Sequence, residues 1–188
     1  MDNVIFMDSR VLTAASAYAR SLSREHDLHP DDAAIYAITD FRREYPITVE
    51  SDCSIDEALA EMVRLGLHAL LVTRQEAGGM EQQILGLVTA YDLERFRRRR
   101  RRETAHSERH ADVRIDEVMT PWNELPLIKY ESLQSLTAIE LYDMFRGTGL
   151  THVLVAETHD EDSASVRGMV SRASLAKRLR RHREVSLR

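Results

Sequence analysis

The sequence predicts a mixed α/β (α+β) protein in which one β-α-β-β-α unit occurs twice after an N-terminal helical hairpin. Apolar strands run directly into helices in both halves of the chain, at Gly86–Thr89 and at Gly168–Ser171. These two junctions lie 82 positions apart, and the strands before them, at Val72 and Val155, lie 83 positions apart. A repeat kept in one register indicates two homologous halves that share a core.

The first 45 residues are predicted to form the helical hairpin. Apolar residues at helical spacing indicate a first helix from Asp8 to Glu25, and Pro30 marks the start of a second. The apolar face of this second helix would consist of Ala34, Ile35, Ile38 and Phe41. Because the segment is not notably basic, packing on the rest of the chain or on a second subunit is favoured over a DNA-reading helix-turn-helix.

The first repeat is predicted over residues 46–105. A capping box at Ser54–Glu57 begins its first helix, which ends at Gly66. Its second helix opens at Thr89 or Ala90 and continues into six consecutive arginines, Arg97–Arg102, which point all round a helix and so form no core face. They either solvate a helix end or contact phosphate or an acidic partner. The predicted strands are Pro46–Val49, Ala69–Thr73 and Ile84–Val88.

A polar linker, predicted over residues 106–114, leads to the second repeat at residues 115–188. Ser132 is predicted to cap its first helix, which Gly147 and Gly149 close. An acidic loop, Glu157–Ser165, would separate the last two strands, and the final helix would open at Ser171. The predicted strands are Leu127–Lys129, Thr151–Ala156 and Val166–Val170.

The composition limits the class of protein. A hydrophobic fraction of 43% over 188 residues is typical of a globular chain. The net charge of −5 gives no global attraction to nucleic acid or to an anionic membrane, and no apolar stretch is long enough to span a bilayer. The single cysteine, Cys53, is expected to be a passive thiol, and it fits a reducing cytoplasm. With neither a catalytic set nor a spaced metal-ligand cluster in the sequence, we expect no enzyme activity and no metal.

The first-repeat junction carries the most explicit chemistry. Thr89 and Asp92 stand three residues apart on the first turn of a helix, so their side chains lie close together. The free N–H groups of a helix start favour anions, and a carboxylate can accept two vicinal hydroxyls. A ligand that matches both features carries a phosphate beside two vicinal hydroxyls, as the ribose phosphate of a nucleotide does. Ordinary helix capping by the same two residues is the alternative.

These features resemble a tandem pair of CBS domains, the arrangement called a Bateman module. The similarity runs from about Pro46 to Arg180, and its most specific parts are Gly86–Asp92 and the lead-in Asp116–Pro121. The resemblance implies two β-α-β-β-α units packed as a pseudo-twofold pair. It also implies clefts that bind an adenosyl ligand: AMP, ADP, ATP or S-adenosylmethionine.

The resemblance also implies which residues bind the ligand. Thr89 would contact phosphate and Asp92 the ribose. In the second repeat Ser171 and Ser174 occupy the corresponding positions, so that site would be weaker and would lack the carboxylate. Six further positions often line such clefts, although a structural or solvated role stays open for the two histidines: Ile47, Thr48, His68, Ala69, Thr151 and His152.

The sequence therefore predicts a cytoplasmic regulatory module that senses an adenosyl nucleotide, forms a homodimer and modulates an unidentified protein partner. Nucleic acid and membrane are not expected partners. The alternative is a structural or oligomerisation module whose clefts stay empty and which acts through its helical surfaces. A shift in melting temperature on adding nucleotide distinguishes these two functions.

Overall fold

The computed structural model describes residues 11–12, 27–75, 82–103, 113–160 and 163–185. The strands in these ranges are β1 (Val11–Leu12), β2 (Thr39–Asp40), β3 (Thr48–Glu50), β4 (Ala69–Gln75), β5 (Gln82–Thr89), β6 (Thr120–Pro121), β7 (Leu127–Lys129), β8 (His152–Asp160) and β9 (Ser163–Ser171). The helices are α1 (Ile55–Leu65), α2 (Ala90–Glu103), α3 (Tyr130–Ser135), α4 (Ala138–Thr148) and α5 (Arg172–Val185). The mixed α/β class with a repeated unit is thus confirmed.

The chain divides into two compact units. The first-repeat unit contains residues 46–125 together with β1, and the second-repeat unit contains residues 126–185 together with 27–45. Residues 27–45 therefore pack as part of the second repeat rather than as a domain of their own. Residues 113–125, most of which the sequence assigns to the second repeat, pack with the first.

The first-repeat unit is a sheet in the order β1-β5-β4-β3, with β6 also paired to β5. Strands β3 and β4 are parallel, and β4 and β5 are antiparallel. Ser54 and Glu57 form the predicted capping box of α1, and Gly66 ends the helix. One core packs the helices on the sheet, and its buried members include Ile55, Met62, Leu70, Val72, Val88, Leu93 and Ile115.

The second-repeat unit repeats this plan in the order β2-β9-β8-β7. Its core takes in residues from the N-terminal segment as well as from the repeat, among them Leu28, Ala34, Leu133, Leu141, Phe145, Val155 and Leu175. In both units a glycine, which has no side chain, allows the backbone of a neighbouring strand to approach closely. A Cβ on Gly86 would collide with the carbonyl oxygen of Thr120 in β6, and a Cβ on Gly168 would collide with that of Thr39 in β2.

The predicted N-terminal hairpin is wrong where the structure describes it. Val11–Leu12 is a strand paired with β5, and the rest of the first predicted helix, residues 8–10 and 13–25, lies outside the described residues. The second predicted helix is a single 3₁₀ turn, Ala34–Ala37, followed by β2. Tertiary pairing decides this, since β2 forms its ladder with β9 and a helix would remove that ladder.

The predicted cap at Ser132 is also wrong. Ser132 lies inside the short helix α3, and the chain is extended at Leu136 before α4 begins. The cap of α4 is Thr137, whose hydroxyl accepts the N–H of Glu140 while the Glu140 carboxylate accepts the N–H of Thr137. Thr137 stands 83 positions after Ser54, so the offset of the repeat already indicates it. The predicted acidic loop is mostly strand, because β8 extends to Asp160 and β9 begins at Ser163.

Candidate functional site

The junction of β5 and α2 forms a closed cap. The Thr89 hydroxyl donates to Asp92 Oδ2 at 2.6 Å, and the Thr89 N–H points to the same oxygen at 3.3 Å. In return the Asp92 N–H donates to Thr89 Oγ1 at 3.2 Å. Thr89 is buried, with 7% of its surface exposed, and Asp92 is half-buried. In this state the two side chains satisfy each other as helix caps do.

The same geometry determines what a ligand could use. Both bonds to the Asp92 carboxylate end on Oδ2, so Oδ1 keeps its acceptor capacity for a hydroxyl. The Ala90 N–H donates to the His68 carbonyl at 2.9 Å, and the Asp92 N–H is taken by Thr89. A phosphate at this helix start would therefore meet fewer free N–H donors than an uncapped helix offers.

The remaining predicted residues of the first repeat lie at the same end of the strands, here named the Thr89–Asp92 edge. Ala69 pairs with Thr89 across β4 and β5, and His68 precedes it. Thr48 pairs with Leu71 across β3 and β4, which places the start of β3 beside the start of β4. The edge combines exposed and buried positions: His68 is exposed, Ile47 is 41% exposed and Ala69 is buried.

The second repeat has the same backbone with different side chains. The Arg172 N–H donates to the Thr151 carbonyl at 2.9 Å, just as Ala90 does to His68, and His152 pairs with Ser171. The first turn of α5 contains no acidic residue, since Ser174 stands where the first repeat has Asp92. His152 is buried, with 9% of its surface exposed, and its Nδ1 lies 3.1 Å from Thr151 Oγ1. The start of α5 therefore offers hydroxyls beside the imidazole of His152, and its first turn supplies no carboxylate.

Comparison with known proteins identifies this fold. The sequence model of the CBS domain family matches residues 38–99. Over these residues the chain is similar to the CBS domain family. No curated protein matches the chain significantly by sequence. The repeated architecture and the solved structures that share it are consistent with a tandem CBS pair.

Three solved structures illustrate the shared CBS fold. A CBS-domain containing protein from Agrobacterium tumefaciens is 18% identical, with a TM-score of 0.51 over 87% of this chain and 98% of its own. CBSX2 in complex with AMP is 16% identical, with a TM-score of 0.51 over 81% of this chain and 98% of its own. The CBS domain of a bacterial CNNM/CorC family Mg²⁺ transporter in complex with ATP is 14% identical, with a TM-score of 0.52 over 80% and 88%.

The second repeat holds an ion network that the sequence does not indicate. Arg167 is 12% exposed; its Nε donates to Asp40 Oδ1 and its Nη2 to Asp40 Oδ2, each at 2.8 Å. Its Nη1 donates to Glu157 at 3.2 Å, and its guanidinium lies 4.9 Å from the Tyr130 ring centroid. No local pattern could have revealed this network, because Asp40 and Arg167 stand 127 positions apart.

Two kinds of feature are absent from the described residues. Among the described residues, no group of three or more histidine, cysteine, aspartate or glutamate side chains could hold a metal ion. Over the same part of the chain, no helix combines the length and the apolar character that crossing a membrane requires.

Proposed function

We propose that the first CBS repeat binds an adenosyl nucleotide (AMP, ADP, ATP or S-adenosylmethionine) at the Thr89–Asp92 edge, and that the protein is a regulatory module acting on a protein partner. The observation that carries the proposal is the geometry of this edge, where a carboxylate oxygen with spare acceptor capacity stands beside a hydroxyl at a helix start. Two proteins of the same fold were solved with AMP and with ATP, which supports the choice of ligand class.

Binding would exchange the cap for ligand contacts. Asp92 Oδ1 would accept a ribose hydroxyl, and the second hydroxyl would compete with Thr89 for Oδ2. The Thr89 hydroxyl, released from Asp92, would donate to a phosphate oxygen. His68, Ala69, Ile47 and Thr48 would line the edge around the rest of the ligand. A charge-assisted hydrogen bond of this kind contributes about 1.5–3 kcal/mol.

One nucleotide would bind per chain. Ser174 carries a single neutral hydroxyl on a shorter side chain than Asp92, so it cannot hold both ribose oxygens. The edge formed by Thr151, His152, Ser171 and Ser174 would therefore be the weaker site. We further propose that the module is a cytoplasmic homodimer without catalytic activity of its own.

Isothermal titration of the wild type and of three variants tests the proposal. Asp92→Ala should weaken nucleotide binding by roughly ten- to a hundredfold. Asp92→Asn keeps an acceptor for the Thr89 cap but loses the charge, so it should lose affinity with little change in stability. Ser174→Ala is the matched control in the other repeat and should leave binding unchanged. Two equivalent sites per chain, or full binding by Asp92→Ala, would contradict the assignment.

A structural module with empty clefts is the second candidate, and the closed Thr89–Asp92 cap favours it. In that function Asp92 only stabilises α2, at about 1 kcal/mol. A thermal-shift panel with AMP, ADP, ATP and S-adenosylmethionine distinguishes the two functions. If none of the four ligands raises the melting temperature of the wild type, the structural function is supported.

A further inference from the structure

The second half of α2 is an arginine surface that nucleotide binding does not use. Residues 95–102, here named the arginine helix, contain seven arginines, no lysine and one phenylalanine. Among the arginines whose side chains the structure describes, four are exposed: Arg95, Arg98, Arg99 and Arg102. The proposed nucleotide edge lies at the opposite end of the same helix, at Thr89 and Asp92.

The arginine helix carries far more positive charge than its own helix neutralises. All of α2 contains three acidic residues against seven arginines. Arg97 lies 3.5 Å from Asp56, and Arg98 lies 3.1 Å from Glu94, but these carboxylates are 46% and 60% exposed and their pairs are weak. Arginines also stand three or four positions apart along the run, a spacing at which like charges repel. The negative helix C-terminus offsets this repulsion only within the last turn.

We propose that the arginine helix is the docking surface for a short acidic segment of a partner protein. Guanidinium groups bind carboxylates through two parallel hydrogen bonds, which lysine cannot do, and the run uses arginine throughout. The four exposed arginines stand at positions i, i+3, i+4 and i+7, so they share one face of the helix, along which an extended acidic peptide can lie. Peptide binding at the arginine helix does not depend on nucleotide binding, because the arginine helix and the Thr89–Asp92 edge are separate parts of α2.

Two observations favour an acidic peptide over nucleic acid or an anionic membrane. The whole chain has a net charge of −5, so the residues outside the seven arginines carry a net charge of −12. A long polyanion that extends beyond the arginine helix would be repelled by this negative charge, whereas a short peptide would not reach it. Nucleic-acid surfaces of this type also use exposed aromatic rings on which bases stack. Of the two aromatic residues of α2, Phe96 packs against the core of the first repeat, where Arg100 lies 5.7 Å from its ring centroid, and only Tyr91, one turn before Arg95, is exposed.

Fluorescence anisotropy with the full chain and a labelled oligoglutamate peptide of about eight residues tests the proposal. The wild type should bind the peptide, and binding should weaken as salt rises from about 50 to about 300 mM. A variant with four exposed arginines of the arginine helix changed to glutamine should bind roughly tenfold more weakly or worse. The substitutions are R95Q, R98Q, R99Q and R102Q.

A matched control carries the same change of charge on exposed arginines elsewhere: R64Q, R74Q, R146Q and R180Q. It should bind the peptide within about twofold of the wild type. Circular dichroism and thermal unfolding confirm that both variants fold. Equal losses in the two variants, or the absence of peptide binding by a folded wild type, would overturn the proposal. Tighter binding of a single-stranded oligonucleotide of equal charge, or of phosphatidylserine vesicles, would also overturn it.

Discussion

Removing the Arg167 guanidinium should cost the second repeat much of its stability. The Arg167 side chain is 12% exposed, and the carboxylates that it pairs with, Asp40 and Glu157, are 14% and 17% exposed. Deleting one partner of a fully buried ion pair costs about 3–5 kcal/mol because the other charge stays buried and unpaired. Since some solvent reaches this network, and Arg42 also contacts Glu157, we expect Arg167→Met to lower the free energy of unfolding by about 2–4 kcal/mol.

Urea denaturation at pH 7 measures this difference. Arg146→Met is the matched control, because Arg146 pairs with Asp143 at 3.8 Å on the surface, where the side chains are 69% and 62% exposed. That variant should stay within about 0.5 kcal/mol of the wild type. An Arg167→Met protein as stable as the Arg146→Met protein would refute the reasoning.

The pH dependence gives a second readout of the network. Burial by itself would raise the pKa of Asp40, but the hydrogen bonds from Arg167 and from the Arg42 N–H, with the charges of Arg167 and Arg43, lower it below its usual 3.8. A lowered folded-state pKa contributes stability that is complete above the unfolded value and is lost as the pH falls through the folded value. In Arg167→Met the burial effect would dominate. The gap between wild type and Arg167→Met should therefore be widest near neutral pH and should narrow as the pH falls through 3.8. A gap that is constant over this range would show that packing, not charge, is lost.

Three further predictions concern the stability of single variants and the oligomeric state. Gly86→Ala should lower stability by about 1–3 kcal/mol, since its Cβ would collide with the Thr120 carbonyl oxygen. Gly147→Ala has open space around its Cβ and should not lower stability, and thermal unfolding compares the two variants. Thr73→Val should raise stability by about 1 kcal/mol, because the buried Thr73 hydroxyl finds no hydrogen-bond partner among the described residues; a loss of stability in urea denaturation would contradict this. Light scattering at micromolar concentration should give twice the 21.6 kDa chain mass, and the monomer mass would contradict the proposed homodimer.

The candidate site could be predicted as a set of residue types but not as a geometry. Thr89 and Asp92 follow from the strand–helix junction, because residues three apart on a helix must be neighbours. The sequence could not decide whether their side chains bond to each other or stay open, and the structure shows a closed cap. The pairing of Ala69 with Thr89 and of Thr48 with Leu71 depends on strand register across the sheet. Register joins segments that are distant in sequence, so only the folded chain fixes it.

The sequence by itself determined the elements whose signals are local. The box at Ser54–Glu57 begins α1 and Gly66 ends it, since both act within one turn of the helix that they terminate. The offset of 82 to 83 positions established the repeat and with it the family resemblance. The tertiary structure alone decided the secondary structure of residues 27–45. Their apolar positions fit a helix, but Thr39–Asp40 completes a sheet edge on β9, and Arg167 holds Asp40 there. A ladder and an ion pair that span more than a hundred residues override a weak local helix propensity.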